Sequence, residues 1–117
     1  MLFRSNPISM RAALDHLASL EAGGRRVAVL GEMRELGPDA AAYHREIGAY
    51  ARERGVELII GVGEHASAYE PDQQVADAET AADALAAALG PGDAVLVKGS
   101  RAVGLERVAE KLAESER

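Results

Sequence analysis

Lys98-Gly99-Ser100-Arg101 sets two cations, a glycine and a hydroxyl directly after the apolar run Val95-Leu96-Val97. These residue types suit an anion. Glycine lets backbone approach a ligand, serine can cap the following helix or donate to an oxygen, and helix-terminal amides favour negative charge. Lysine and arginine add charge-assisted hydrogen bonds, and arginine can grip a carboxylate or phosphate with two parallel ones. The same four residues also describe a capped corner carrying two solvated bases. Residue type alone leaves both readings open.

Two other polar stretches follow apolar runs. GEMRELGPD, residues 31–39, is long for a strand-to-helix connection and offers Glu32, Arg34 and Glu35. Its carboxylates could hold a cation or a ligand hydroxyl, or could pair with Arg34; a surface loop is the more economical reading. GVGEH, residues 61–65, adds glycines but opens no GxGxxG fingerprint, and no GxxxxGK[ST] loop occurs anywhere in the chain. The chain therefore lacks a phosphate cradle that could run nucleotide chemistry alone. His16, His44 and His65 are widely spaced, with no HxxxH or HExxH pair, which argues against zinc. His44 reads either as a helix-face histidine tied to a neighbouring loop or, more sharply, as a contact to nucleotide. No spacing suggests a Ser-His-Asp arrangement or a working carboxylate pair.

The elements that must position these residues alternate. SNPISMRAALDHLASLEAGG predicts a helix, with Pro7 in its first turn, Met10, Leu14, Leu17 and Ala18 at helical spacing, and Gly23-Gly24 as a stop. A strand follows over Val27 to Leu30. Pro38 and Asp39 open a second helix, with Tyr43, Ile47, Tyr50, Ala51 and Arg54 sharing one broad side. Leu58 to Val62 is the next strand, Glu64 to Tyr69 a short helical piece, and Val75 the centre of a brief edge strand. An alanine-rich helix then runs to Gly90. The strand AVLVKGS and a last helix, with Leu105, Val108, Ala109 and Leu112 facing inward, complete the series. Short apolar strands between helices imply a small, mainly parallel sheet covered on both faces, an α/β three-layer domain. An opening helix with no strand before it suggests that a first strand is lacking. Loops at the carboxyl ends of such strands are where ligands bind, so all three polar stretches stand on the right side.

At 117 residues the chain fits one domain. Apolar residues reach 48% but aromatics only 3%, so the core must be Val, Leu, Ile and Ala. A net charge of −6 and the absence of bases interleaved with aromatics argue against nucleic acid. No apolar run approaches a membrane span. The absence of cysteine suits a cytoplasmic setting.

Three separated segments now converge. SNPISMRAALDHL, VLGEMRELG with His44 following, and VLVKGSRAVGLERV together resemble the C-terminal domain of the Mur ligase family, within it the ligases that add D-alanyl-D-alanine to UDP-N-acetylmuramoyl-tripeptide. The resemblance runs from about Asn6 to Leu112. Asn6, Pro7, Ser9 and Met10 match the family segment, whereas Met1, Phe3, Arg4 and Ser5 depart from it. Residues 1–5 are therefore expected to be an expression scar or non-native start, and residues 6–117 the domain. Gly31-Glu32-Met33 matches a family Gly-Asp-Met with Glu for Asp, and Lys98-Gly99-Ser100-Arg101 matches unchanged.

The resemblance implies a Rossmann-like fold that closes over ATP held by a central domain, during cytoplasmic peptidoglycan precursor synthesis. It implies Lys98, Ser100 and Arg101 near the dipeptide carboxylate, and Asn6, Glu32 and His44 on the nucleotide side. ATP and Mg2+ would serve the full-length enzyme, the P-loop and magnesium ligands lying in the central domain. The implied partners are the N-terminal and central domains, UDP-MurNAc-tripeptide and D-Ala-D-Ala, and the isolated chain would be inactive. A rival expectation is a free-standing α/β ligand-binding or regulatory module. An unpaired sheet edge would also allow a homodimer.

Overall fold

A computed structural model describes residues 7–21, 23–33 and 37–98. The expected last helix, together with Asn6, Arg34, Glu35, Ser100 and Arg101, lies outside them.

Helix α1 (Pro7–Ser19) buries Met10, Leu14 and Leu17, the stripe its spacing predicts. Its exposed carbonyls are met by an unforeseen residue. The Arg26 guanidinium donates to Leu17 O at 3.2 Å and Leu20 O at 2.8 Å, placing a cation at the negative end of the helix. Strand β1 (Arg26–Gly31), helix α2 (Ala40–Glu53), β2 (Leu58–Val62), β3 (Gln73–Val75), helix α3 (Ala78–Ala88) and β4 (Ala94–Lys98) follow, with a 3-10 turn at Glu64–Tyr69. All pairings are parallel, in the order β3-β2-β1-β4.

Alternation along the strands divides two cores. Ala28, Leu30 and Ile59 pack against Met10, Leu14 and Leu17 of α1 and Ile47 and Ala51 of α2. Val27, Val29, Leu58, Ile60 and Val62 face α3, which presents Ala78, Ala81, Ala82 and Leu85. Both strand faces are therefore apolar, which is why no polar alternation marks these strands in the sequence. Each large aliphatic side chain so buried contributes roughly 1.5–3 kcal/mol.

The stripe on α2 differs from expectation. It buries His44, Ile47, Gly48 and Ala51, while Tyr43 stands exposed. Tyr50 and Arg54 instead form a seam with α1. The Tyr50 hydroxyl donates to Asp15, Arg54 Nε lies 3.1 Å from Asp15 Oδ1, and Arg11 stacks over the Tyr50 ring. The rotation follows from Gly48, which lets the helix backbone come against Tyr69 where a side chain would hold it off.

The opposite end of the sheet is tied by Asp93. Its carboxylate, 5% exposed, accepts from Arg25 N–H at 2.8 Å and Gly90 N–H at 2.9 Å, and pairs with the Arg25 guanidinium. The Gly90 and Arg25 amides, and then the Arg25 charge, hold its pKa below the usual 3.8. A depressed carboxylate stabilises the fold above its unfolded pKa and loses that contribution as pH falls through the folded value. Asp93→Ala should therefore lower the thermal midpoint at neutral pH by several degrees. The gap to the unmodified chain should shrink below about pH 4, a comparison that melting curves across pH 2–7 would make.

Candidate functional site

The chain steps outward from β1 to β2 to β3, then returns to place β4 on the other side of β1. Helices α2 and α3 cover opposite faces. β1 and β4 thus lie side by side and parallel, and the crevice outside the carboxyl ends of such strands is where open parallel sheets bind ligands. Two sequence-nominated motifs flank it. Lys98 pairs with Leu30 in the β1–β4 register, and Gly31-Glu32-Met33 begins one residue further on. Lys98, half-buried, is thereby the described end of the KGSR motif.

The Gly31–Met33 segment is held from below by polar groups that all find partners. Glu32 N–H donates to Val62 O at 3.3 Å, and the Glu32 carboxylate accepts from His65 N–H at 2.8 Å. That carboxylate thus takes up one opening amide of the 3-10 turn, where negative charge is favoured. Gly63, at φ +104°, makes the approach feasible, since a Cβ there would stand 2.9 Å from Glu32 Cδ. Gln74 steadies the same turn by donating to Gly63 O at 3.0 Å and Glu64 O at 3.1 Å.

His44 sits beneath the segment, 1% exposed. Met33 N–H donates to its Nε2 at 2.9 Å, so the ring is the Nδ1–H tautomer and donates to Ala40 O at 2.6 Å. Of the two sequence readings, the tie to a neighbouring loop is the one this geometry displays. Both ring nitrogens are engaged by backbone, so any influence on a ligand passes through Met33.

Tyr69 completes the support. Its hydroxyl donates to Gly31 O at 2.7 Å, and its ring meets His44 edge-on with centroids 4.8 Å apart. Burial, and then the Glu32 charge, push the phenol pKa well above its ordinary value, so the hydroxyl stays protonated and keeps donating. By sequence Tyr69 is simply the end of a short helical piece. Its partner is 38 residues away and is a backbone carbonyl, which no spacing rule reveals.

Among the described residues Glu32 and His44 are polar or charged residues buried whole, and no buried side-chain nitrogen or oxygen lacks a hydrogen bond. Also among them, no group of three His, Cys, Asp or Glu side chains could hold a metal ion, and no helix is long and apolar enough to cross a membrane. The arrangement can present a rigid backbone segment and a lysine to an anionic ligand.

Comparison with known proteins extends this geometry. A family model described as Mur ligase, glutamate ligase domain, matches residues 3–101. UDP-N-acetylmuramoyl-tripeptide–D-alanyl-D-alanine ligase of Mycobacterium tuberculosis H37Rv is 39% identical, over 94% of this chain and 27% of that protein. The ligase of the same name from Escherichia coli K12 is 34% identical, over 97% and 26%. The crystal structure of MurF ligase from Thermotoga maritima in complex with ADP superposes with a TM-score of 0.80 and 28% identity, covering 96% of this chain and 26% of that one. An Acinetobacter baumannii MurF structure gives 0.80 and 27%, covering 96% and 27%. The chain thus spans about a quarter of the length of the curated relatives it matches.

Proposed function

The chain belongs to the Mur ligase family as its glutamate ligase domain, and from that premise we propose that it is the C-terminal domain of an ATP-dependent ligase. That enzyme would join D-alanyl-D-alanine to UDP-N-acetylmuramoyl-tripeptide in cytoplasmic peptidoglycan precursor synthesis. The observation that carries the reading is positional. The two motifs that match the family, Gly31-Glu32-Met33 and the strand end bearing Lys98, flank one crevice at the carboxyl ends of β1 and β4.

Amide ligation of this kind activates a carboxylate with ATP and Mg2+, which supply an acyl phosphate for the incoming amine to attack. The chain has no P-loop of its own, so that chemistry belongs to the central domain. The contribution of this domain is to orient and enclose. The residues proposed for the dipeptide carboxylate are Lys98, Ser100 and Arg101. Those proposed for the nucleotide are Asn6, Glu32 and His44, the last acting through Met33. Closure brings both against the central domain and excludes water, converting a bimolecular encounter into an oriented one.

The test is reconstitution. The chain alone, given ATP, Mg2+, UDP-MurNAc-tripeptide and D-Ala-D-Ala, should release no phosphate above background. A chimera joining it to the N-terminal and central domains of the M. tuberculosis relative should release phosphate only when all substrates are present. Turnover by the isolated chain, or an inert chimera, would contradict the proposal.

A further inference from the structure

Three hydrogen bonds from neighbouring elements support the Gly31–Met33 segment. Buried hydrogen-bonded networks can often be replaced by well-packed apolar groups at little cost, so their distinctive contribution is a single fixed geometry. Here the network fixes three successive residues from three directions. Tyr69 holds the Gly31 carbonyl, the His65 amide holds the Glu32 carboxylate, and His44 holds the Met33 amide. These groups are reached from two elements, α2 and the 3-10 turn, locked together where Gly48 meets the Tyr69 backbone. Tyr69 is the joint of the assembly, touching Gly31 through its hydroxyl, His44 through its ring and Gly48 through its carbonyl.

We propose that Tyr69 is a positioning residue for the ligation reaction, its hydroxyl fixing the Gly31–Met33 segment at the mouth of the β1/β4 crevice. It touches neither substrate nor nucleotide. It acts through backbone, setting the direction of the Gly31 carbonyl and, by way of His44 and Glu32, the amides beside it. The inference rests on the functional reading above.

Tyr69→Phe removes the hydroxyl alone and keeps the ring against His44. Two measurements decide. In the 117-residue chain, amide hydrogen exchange should quicken about fivefold or more at Met33 and His65, with Val29 and Ile60 in the central strands unchanged. Equal acceleration at all four would mean a merely structural role and would overturn the inference, as would no change at Met33 and His65. In the chimera, kcat should fall about tenfold, the size expected when a buried carbonyl loses its donor, while KM for D-Ala-D-Ala stays within about twofold. An active chimera whose kcat ignores Tyr69→Phe overturns the inference and leaves the functional reading standing. An inert unmodified chimera overturns the functional reading and the inference with it.

Discussion

Gly48→Ala is expected to destabilise the chain by about 3 kcal/mol or more, lowering the thermal midpoint by more than about 10 °C. Helix propensity argues the other way, because alanine is better than glycine inside a helix by up to about 1 kcal/mol. Packing decides the sign. A Cβ at position 48 would stand 2.1 Å from Tyr69 O, 2.9 Å from Tyr69 C and 3.2 Å from Tyr69 Cα, all of them backbone atoms. No rotamer change relieves such a clash. Either α2 lifts away, withdrawing Ile47 and Ala51 from the core, or the 3-10 turn shifts and pulls the Tyr69 hydroxyl off Gly31. Urea unfolding followed by circular dichroism would measure the loss. A midpoint equal to or above that of the unmodified chain would show that the close approach does not exist.

Gly48 also marks where legibility in the sequence stops. Strand β2 and the 3-10 turn after it were readable to the residue, because a short apolar run between glycines has few alternatives. The stripe on α2 was not. Grouping Tyr43 and Arg54 with Ile47 on one broad side favours large residues, whereas the helix turns its smallest residue inward to approach Tyr69 and leaves Tyr43 in solvent. The site shows the same division. Lys98, Glu32 and His44 could be nominated by type and by family resemblance. Their support could not, since Gly31 O, Met33 N–H and His65 N–H are backbone groups that any residue carries. Strand order was equally silent, and it is the return of β4 to the side of β1 that brings two separated motifs to one crevice.

Arg101→Ala in the reconstituted ligase should raise KM for D-Ala-D-Ala by about 10- to 100-fold while KM for ATP moves no more than about twofold. The magnitude follows from charge-assisted hydrogen bonds, worth about 1.5–3 kcal/mol, with each 1.4 kcal/mol a factor of ten. The choice of residue follows from sequence position and chemistry together. Lys98 ends β4 beside Leu30, at the lip of the crevice, and Arg101 comes three residues later in the same motif. A carboxylate is planar and matches a guanidinium with two parallel bonds, whereas an ammonium offers a point charge. Lys98→Ala should accordingly cost less than Arg101→Ala, and Arg101→Lys should recover the charge but only part of the affinity. The steady-state constants also discriminate between anions. A selective rise in KM for ATP, with the dipeptide constant unmoved, would assign the motif to phosphate. That outcome would leave orientation of the dipeptide to the Gly31–Met33 side, whose backbone is held by Tyr69 and His44.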